Sequence, residues 1–252
     1  MKRLIMIATA FAVVGCLPVQ TKKQIIVDGE ATIEVEPDIF VISGNVRARE
    51  EDQASALKAI SEKLSNVQNK LPNLVGLEAL SIEATDAEIS PVQDQECLEK
   101  RRYNTEEVCP VTGYFGSISL KVKGTPATAS GSAFSFLSEL GAENVSLSEY
   151  AFSNLKRVRE EAIQAAMKDA RTKAKGIATA TGAELSGPVR IQYGEGFSDQ
   201  QYNYYEERSQ DSVVVAAGMA RPDADMTPAI TIDLDPQPIK ITEKIVASFE
   251  IE

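Results

Sequence analysis

Apolar and polar positions alternate from Ile25 onward, with Ala31, Ile33 and Val35 on one face and Thr32, Glu34 and Glu36 on the other, which predicts a β-strand. Pro37-Asp38 interrupts it and "IFVISGNVRAR" runs on as a second strand, so the two read as a hairpin turning at Glu36-Pro37-Asp38. The period then changes. Leu57, Ile60, Leu64, Val67 and Leu71 recur every three or four residues and predict a helix over about 51–71, ended by Pro72.

Alternation returns through Leu80, Ile82 and Ala84, and again through Ile118, Leu120 and Val122, giving a third and a fourth strand around a cysteine-containing loop at 93–111. A second helix is expected over 126–140, starting at Pro126 after a Thr125 cap and ending before Gly141. "AENVSLSEYAFSN" reads as a short strand. The longest helix is expected over 154–181, lined by Ala162, Ala166, Ala170, Ala174 and Ile177 and closed by Gly182. So small a seam predicts close packing on a sheet, with the charged "KRVREE" and "KDARTKAK" runs outside. "GPVRIQYGEG" is a further strand. Residues 194–235 lack periodicity apart from Val213 to Ala217, and are expected to be partly mobile or to contact another subunit. "PIKITEKIVASFEI" (238–251) closes the chain as a strand.

The N-terminus carries different information. Lys2 and Arg3 precede an apolar stretch from Leu4 to Val14, the length of a signal-peptide core and too short to span a bilayer. Val13-Val14-Gly15-Cys16 resembles a bacterial lipobox. Residues 1–15 would then be a lipoprotein signal peptide, Cys16 the lipidated first residue, and 16–24 a short tether. Leu17, rather than aspartate, after the cysteine resembles export to the outer membrane, facing the periplasm. An exported chain lives where disulfides persist, and Cys97 and Cys109 are the remaining pair. Two free thiols would not last there, and two sulfurs without histidine make a poor metal site. A Cys97–Cys109 disulfide is the expectation.

Composition narrows the chemistry. With 26 basic and 37 acidic residues the net charge is −11, which disfavours a nucleic-acid partner. The chain of 252 residues contains no histidine, which excludes nucleophiles activated by histidine and the usual zinc and haem ligands. No P-loop, dinucleotide turn or GxSxG elbow is present; Ser130-Gly131-Ser132 falls in a helix, where small residues permit close packing. Asp223, Asp225, Asp233 and Asp235 lack the spacing of a calcium loop and read as solvated charges. No cofactor and no metal are expected. Tyr193, Tyr202, Tyr204 and Tyr205 form an aromatic group suited to a subunit or ligand contact, or to folding back on their own sheet.

The order of these elements resembles the SIMPL domain family, which includes periplasmic immunogenic proteins of Gram-negative bacteria. The resemblance is carried by Gly29, Pro37, Asp38, Gly44 and Val46, by Gly113-Tyr114, and by Gly141-Ala142. It continues through Ala166, Asp169-Ala170, Lys173-Ala174, Ala178 and Gly182. It spans about 25–193 and resumes near 238, so 25–252 is expected to be one SIMPL-like domain with insertions near 93–111 and 194–235. The resemblance implies an α+β fold, an antiparallel β-sheet with α-helices packed on it, exported to the cell envelope. It also implies an association with envelope or oxidative stress and, for some members, homo-oligomers; it supplies no catalytic residues. The expectation is a non-enzymatic, lipid-anchored scaffold or interaction module with unidentified envelope partners. The alternative is a periplasmic small-ligand-binding or transport accessory protein. A carboxylate-dependent hydrolase ranks third, because no paired carboxylates stand out.

Overall fold

The computed structural model describes residues 23–101, 108–193, 213–216 (backbone only) and 226–252. In chain order these form β1 (Gln24–Val35), β2 (Ile39–Glu50), α1 (Gln53–Lys70), β3 (Ala79–Gln93), α2 (Gln95–Arg101), β4 (Val111–Thr125) and α3 (Ser130–Glu139). β5 (Glu143–Ala151), α4 (Leu155–Thr181), β6 (Leu185–Gln192), β7 (Val213–Ala216) and β8 (Ile239–Ile251) follow. The strands make two antiparallel sheets, ordered β1-β8-β6 and β5-β2-β4-β3-β7. The fold class is α+β, as the alternation and helical stripes require. The expected β1–β2 hairpin does not form: β1 pairs with β8, whereas β2 pairs with β4 and β5. The Pro37-Asp38 break therefore separates two sheets. Asp38 explains why, since its backbone N–H donates to Ala151 O and its carboxylate accepts from the N–H and hydroxyl of Ser153. These bonds bring the start of β2 to the end of β5 instead of folding it back on β1.

The described residues fall into two compact units, one built from 32–101, 108–163, 213–216 and 226–243, the other from 23–31, 164–193 and 244–252. In the larger unit, α1 and α3 bury Ile60, Val67, Ala133 and Leu137 against Phe40, Ile42, Val46, Leu120 and Val122 of the five-stranded sheet. Asp52 caps α1, accepting from the N–H of Ser55 at 2.9 Å and its hydroxyl at 2.7 Å. The stripe on α1 is turned slightly from the expected one: Leu57 is 56% exposed and Ala56 is buried. Side-chain bulk predicts leucine inside, but with Ile60 and Val67 turned to the sheet the helical spacing puts Ala56 on that face and Leu57 off it. Within this unit Phe152, Val158, Ala162 and Ile241 form a second apolar cluster with Ile33 and Val35.

The stretch 226–235, expected to be irregular, is laid along α3 by hydrogen bonds. Glu139 Oε1 accepts from the N–H of Ala229 at 2.7 Å, Ser135 Oγ from the N–H of Ile232 at 3.1 Å, and Ser130 Oγ donates to Leu234 O at 3.4 Å. Gly131 makes this possible. A Cβ there would collide with the carbonyl oxygen of Ile232 and lie 3.2 Å from Leu234 N. The small-residue density at Ser130-Gly131-Ser132 is thus a packing feature, as read. Thr125 does not cap α3: a short 3-10 turn, 127–129, precedes it, and the residue at the cap position is Ala129.

In the smaller unit, α4 lies on the β1-β8-β6 sheet. Ala166, Ala170, Ala174 and Ala178 are buried there with Ile25, Val27, Ile245, Ala247 and Phe249. The seam runs strictly every fourth residue, so it continues to Ala178 and leaves Ile177 45% exposed, against the expectation for Ile177. Gly182, at φ +71°, ends the helix as expected, with the N–H of Ala183 donating to Ala178 O at 2.9 Å.

Candidate interaction surface

Of the residues that carried the family resemblance, Gly29, Ala166, Asp169, Ala170 and Lys173 come together where β1 meets α4. A Cβ on Gly29 would collide with the carbonyl oxygen of Ala166 and stand 2.7 Å from Ala170 Cβ, so glycine is what lets strand and helix touch backbone to backbone. On the flank of that contact, two α4 side chains hydrogen-bond to the β1 backbone. Asp169 Oδ2 accepts from the N–H of Glu30 at 3.1 Å, and Lys173 Nζ donates to Asp28 O at 3.1 Å and to Asp169 Oδ2 at 2.8 Å. The helix thereby occupies a donor and an acceptor of β1, which stands at one edge of its sheet.

The Lys173 ammonium, and then the Glu30 N–H, hold Asp169 below the usual carboxylate range, while Asp169 holds Lys173 above its ordinary value. A lowered carboxylate contributes stability above its unfolded value that is lost as pH falls through the folded one. A raised lysine contributes stability below its unfolded value that is lost as pH rises through the folded one. The pair is therefore intact at neutral pH and fails only at the two extremes. Asp169→Asn should be less stable than the parent near neutrality, and melting curves of the two should converge in acid, below the folded-state value of Asp169. A difference that persists undiminished in acid would assign the effect to shape rather than charge.

The opposite edge is built differently. β6 is the outer strand on the far side of β8, with Ile191 across from Ala247 and Gln192 across from Val246. Ile191 therefore shares the sheet face that α4 covers, yet α4 does not reach it. Val189, Ile191 and Tyr193 are 48, 53 and 52% exposed. Between α4 and the start of β6 lies an open groove of about 650 Å³, walled by Lys168, Arg171, Thr172, Lys175 and Thr179, with Leu185 on the strand side. Glu184 adds one carboxylate to its rim.

The cations of this groove differ from the others on α4. Lys156 pairs with Glu160, Arg157 with Glu161, Arg159 with Glu243 and Lys173 with Asp169. Among the described residues Lys168, Arg171 and Lys175 have no ion-pair partner. They stand at i, i+3 and i+7, one stripe of the helix, with no carboxylate three or four residues away in either direction. That spacing was visible in "KDARTKAK", but the run read as an undifferentiated solvated face.

Of the residues singled out from the sequence, Tyr193 follows β6 directly and belongs to its exposed row. Cys16, Tyr202, Tyr204 and Tyr205 lie outside the described residues. Cys97 and Cys109 are bonded to one another. The loop expected between them begins as α2, whose first turn is held by Asp94 Oδ1 accepting from the N–H of Cys97 at 2.8 Å. Among the described residues no three His, Cys, Asp or Glu side chains converge as a metal site, and no helix is long and apolar enough to cross a membrane.

No curated protein matches the chain. A family does: residues 25–249 match SIMPL, described as a protein of unknown function (DUF541), and the match takes in the Gly29–Ala170 crossing, the Asp169–Lys173 clamp and the β6 edge. The chain belongs to the SIMPL family.

Proposed function

We propose that this chain is a lipid-anchored, non-enzymatic module of the cell envelope that self-associates and serves as a scaffold or interaction partner in envelope or oxidative stress. The observation that carries the reading is the β6 edge, where Val189, Ile191 and Tyr193 expose an apolar row on an outermost strand. Val13-Val14-Gly15-Cys16 supports anchoring through acyl chains on Cys16, with the module in the periplasm at the outer membrane. Placing the module on a membrane raises its local concentration, which suits weak pairing between copies.

Two measurements test the reading. Cys16→Ser should abolish palmitate labelling and leave unprocessed precursor; labelling that continues excludes the anchor. Light scattering of residues 20–252 should show assemblies larger than one chain, which Ile191→Glu reduces toward the single chain at unchanged helix content. A strictly monomeric parent at high concentration excludes self-association.

A further inference from the structure

We infer that the groove between α4 and β6 is a docking site for an extended acidic segment of a partner protein, which joins β6 as its next strand and sets its carboxylates against Lys168, Arg171 and Lys175. The inference rests on the reading of β6 as an interaction edge and adds the partner's chemistry. Among the described residues β6 pairs only with β8 and is the outermost strand of its sheet, the kind of edge to which another extended chain adds. The opposite edge of the same sheet is engaged at Asp28 and Glu30 by Lys173 and Asp169. Strand addition is therefore favoured at β6.

Charge identifies the occupant. Three cations without an ion-pair partner among the described residues share one stripe in a protein whose net charge is −11. A segment with a carboxylate at every second residue would set negative charge against that stripe. Along a helix, residues 168, 171 and 175 are spread over about 10 Å at 1.5 Å per residue. Along a strand, three alternate side chains are spread over about 13 Å at 3.3 Å per residue, a difference that the flexible lysine and arginine stems absorb. The intervening residues of the segment would be apolar or neutral. Its arrival would also cover Ile191, which α4 leaves exposed on the same sheet face.

The test uses the full chain in detergent and a fluorescein-labelled peptide alternating glutamate and valine, read by fluorescence anisotropy. Binding is expected to weaken as salt rises, and by about tenfold or more in Lys168→Glu/Arg171→Glu/Lys175→Glu. The milder Lys168→Gln/Arg171→Gln/Lys175→Gln should show an intermediate loss, which guards against a fold defect in the reversed variant. A peptide N-methylated at alternate residues, on the edge that would pair with β6, should lose binding although its charge is unchanged. A peptide alternating lysine and valine should not bind. Undiminished binding in both triple variants overturns the inference, and so does full binding by peptides N-methylated on either edge. Failure of the acidic peptide to bind, with phosphatidylglycerol vesicles bound in a manner abolished by the triple reversal, would assign the cations to a lipid surface and also overturn it. Self-association is read separately by light scattering, so an oligomer that binds no peptide defeats this inference alone.

Discussion

Gly29→Val is expected to destabilise the protein by about 3 kcal/mol, the upper part of the usual range for overpacking a well-filled contact. The obstruction is backbone. The added Cβ meets the carbonyl oxygen of Ala166 and stands 3.0 Å from the backbone nitrogen of Ala170, and neither atom can withdraw without disturbing the hydrogen-bond ladder of α4. Ala170→Gly should therefore fail to rescue Gly29→Val, since it removes the methyl group and leaves Ala166 O in place. Gly176→Ala is the matching control on the same helix. A Cβ at Gly176 meets nothing within 4 Å, so the helix preference of alanine should raise stability by about 0.5–1 kcal/mol. Urea unfolding followed by circular dichroism reads both, as midpoint shifts in opposite directions with parallel slopes. An unchanged midpoint for Gly29→Val would remove the close crossing of β1 and α4 from the structural account.

The contrast between these two glycines shows where the sequence is readable. Gly176 interrupts a helical pattern and can be judged from its neighbours. The role of Gly29 depends on Ala166 and Ala170, far along the chain, and only the fourfold alanine spacing hinted that some backbone would come close. Strand identity was legible for the same local reason: alternation through Ile33 and Val35 needs only a half-buried surface. Strand partnership was not, because β1 finds β8 from the other end of the chain, and the local Pro37-Asp38 break looks the same whether a strand turns back or changes sheets. Side-chain volume misled at Leu57 and Ile177. In both helices a neighbouring alanine is buried instead, because Ala56 shares the four-residue spacing of Ile60, and Ala178 that of Ala174, on the face turned to the sheet. The candidate surface was half legible. Lys168, Arg171 and Lys175 can be seen without carboxylates at helical spacing, but the groove beside them requires β6 at the sheet edge, which is a fact of topology.

Removing the disulfide, as Cys97→Ala/Cys109→Ala, is expected to cost about 3 kcal/mol on the chain-entropy estimate for a loop of this length. The sequence separation of the two cysteines is 12, and the pair connects α2 to the residues just before β4. In the folded protein that connection is closed without it: Gln93 is in register with Val111, and the N–H of Asp94 donates to Pro110 O at 3.0 Å. The bridge therefore adds little to a β3–β4 pairing already made, and acts chiefly by restricting the unfolded chain. Alanine is the suitable replacement because Cys109 is 3% exposed, and a serine hydroxyl there would carry its own desolvation cost. The double variant should unfold at lower urea with a steeper slope, since its unfolded state is less constrained. Dithiothreitol present during unfolding should move the parent to the variant's midpoint and leave the variant where it was. The same chain without residues 1–15, made in a reducing cytosol, should match the variant until it is oxidised. A parent insensitive to reductant under these conditions would show that the bridge contributes nothing to stability, and that β3 and β4 are held by their pairing alone.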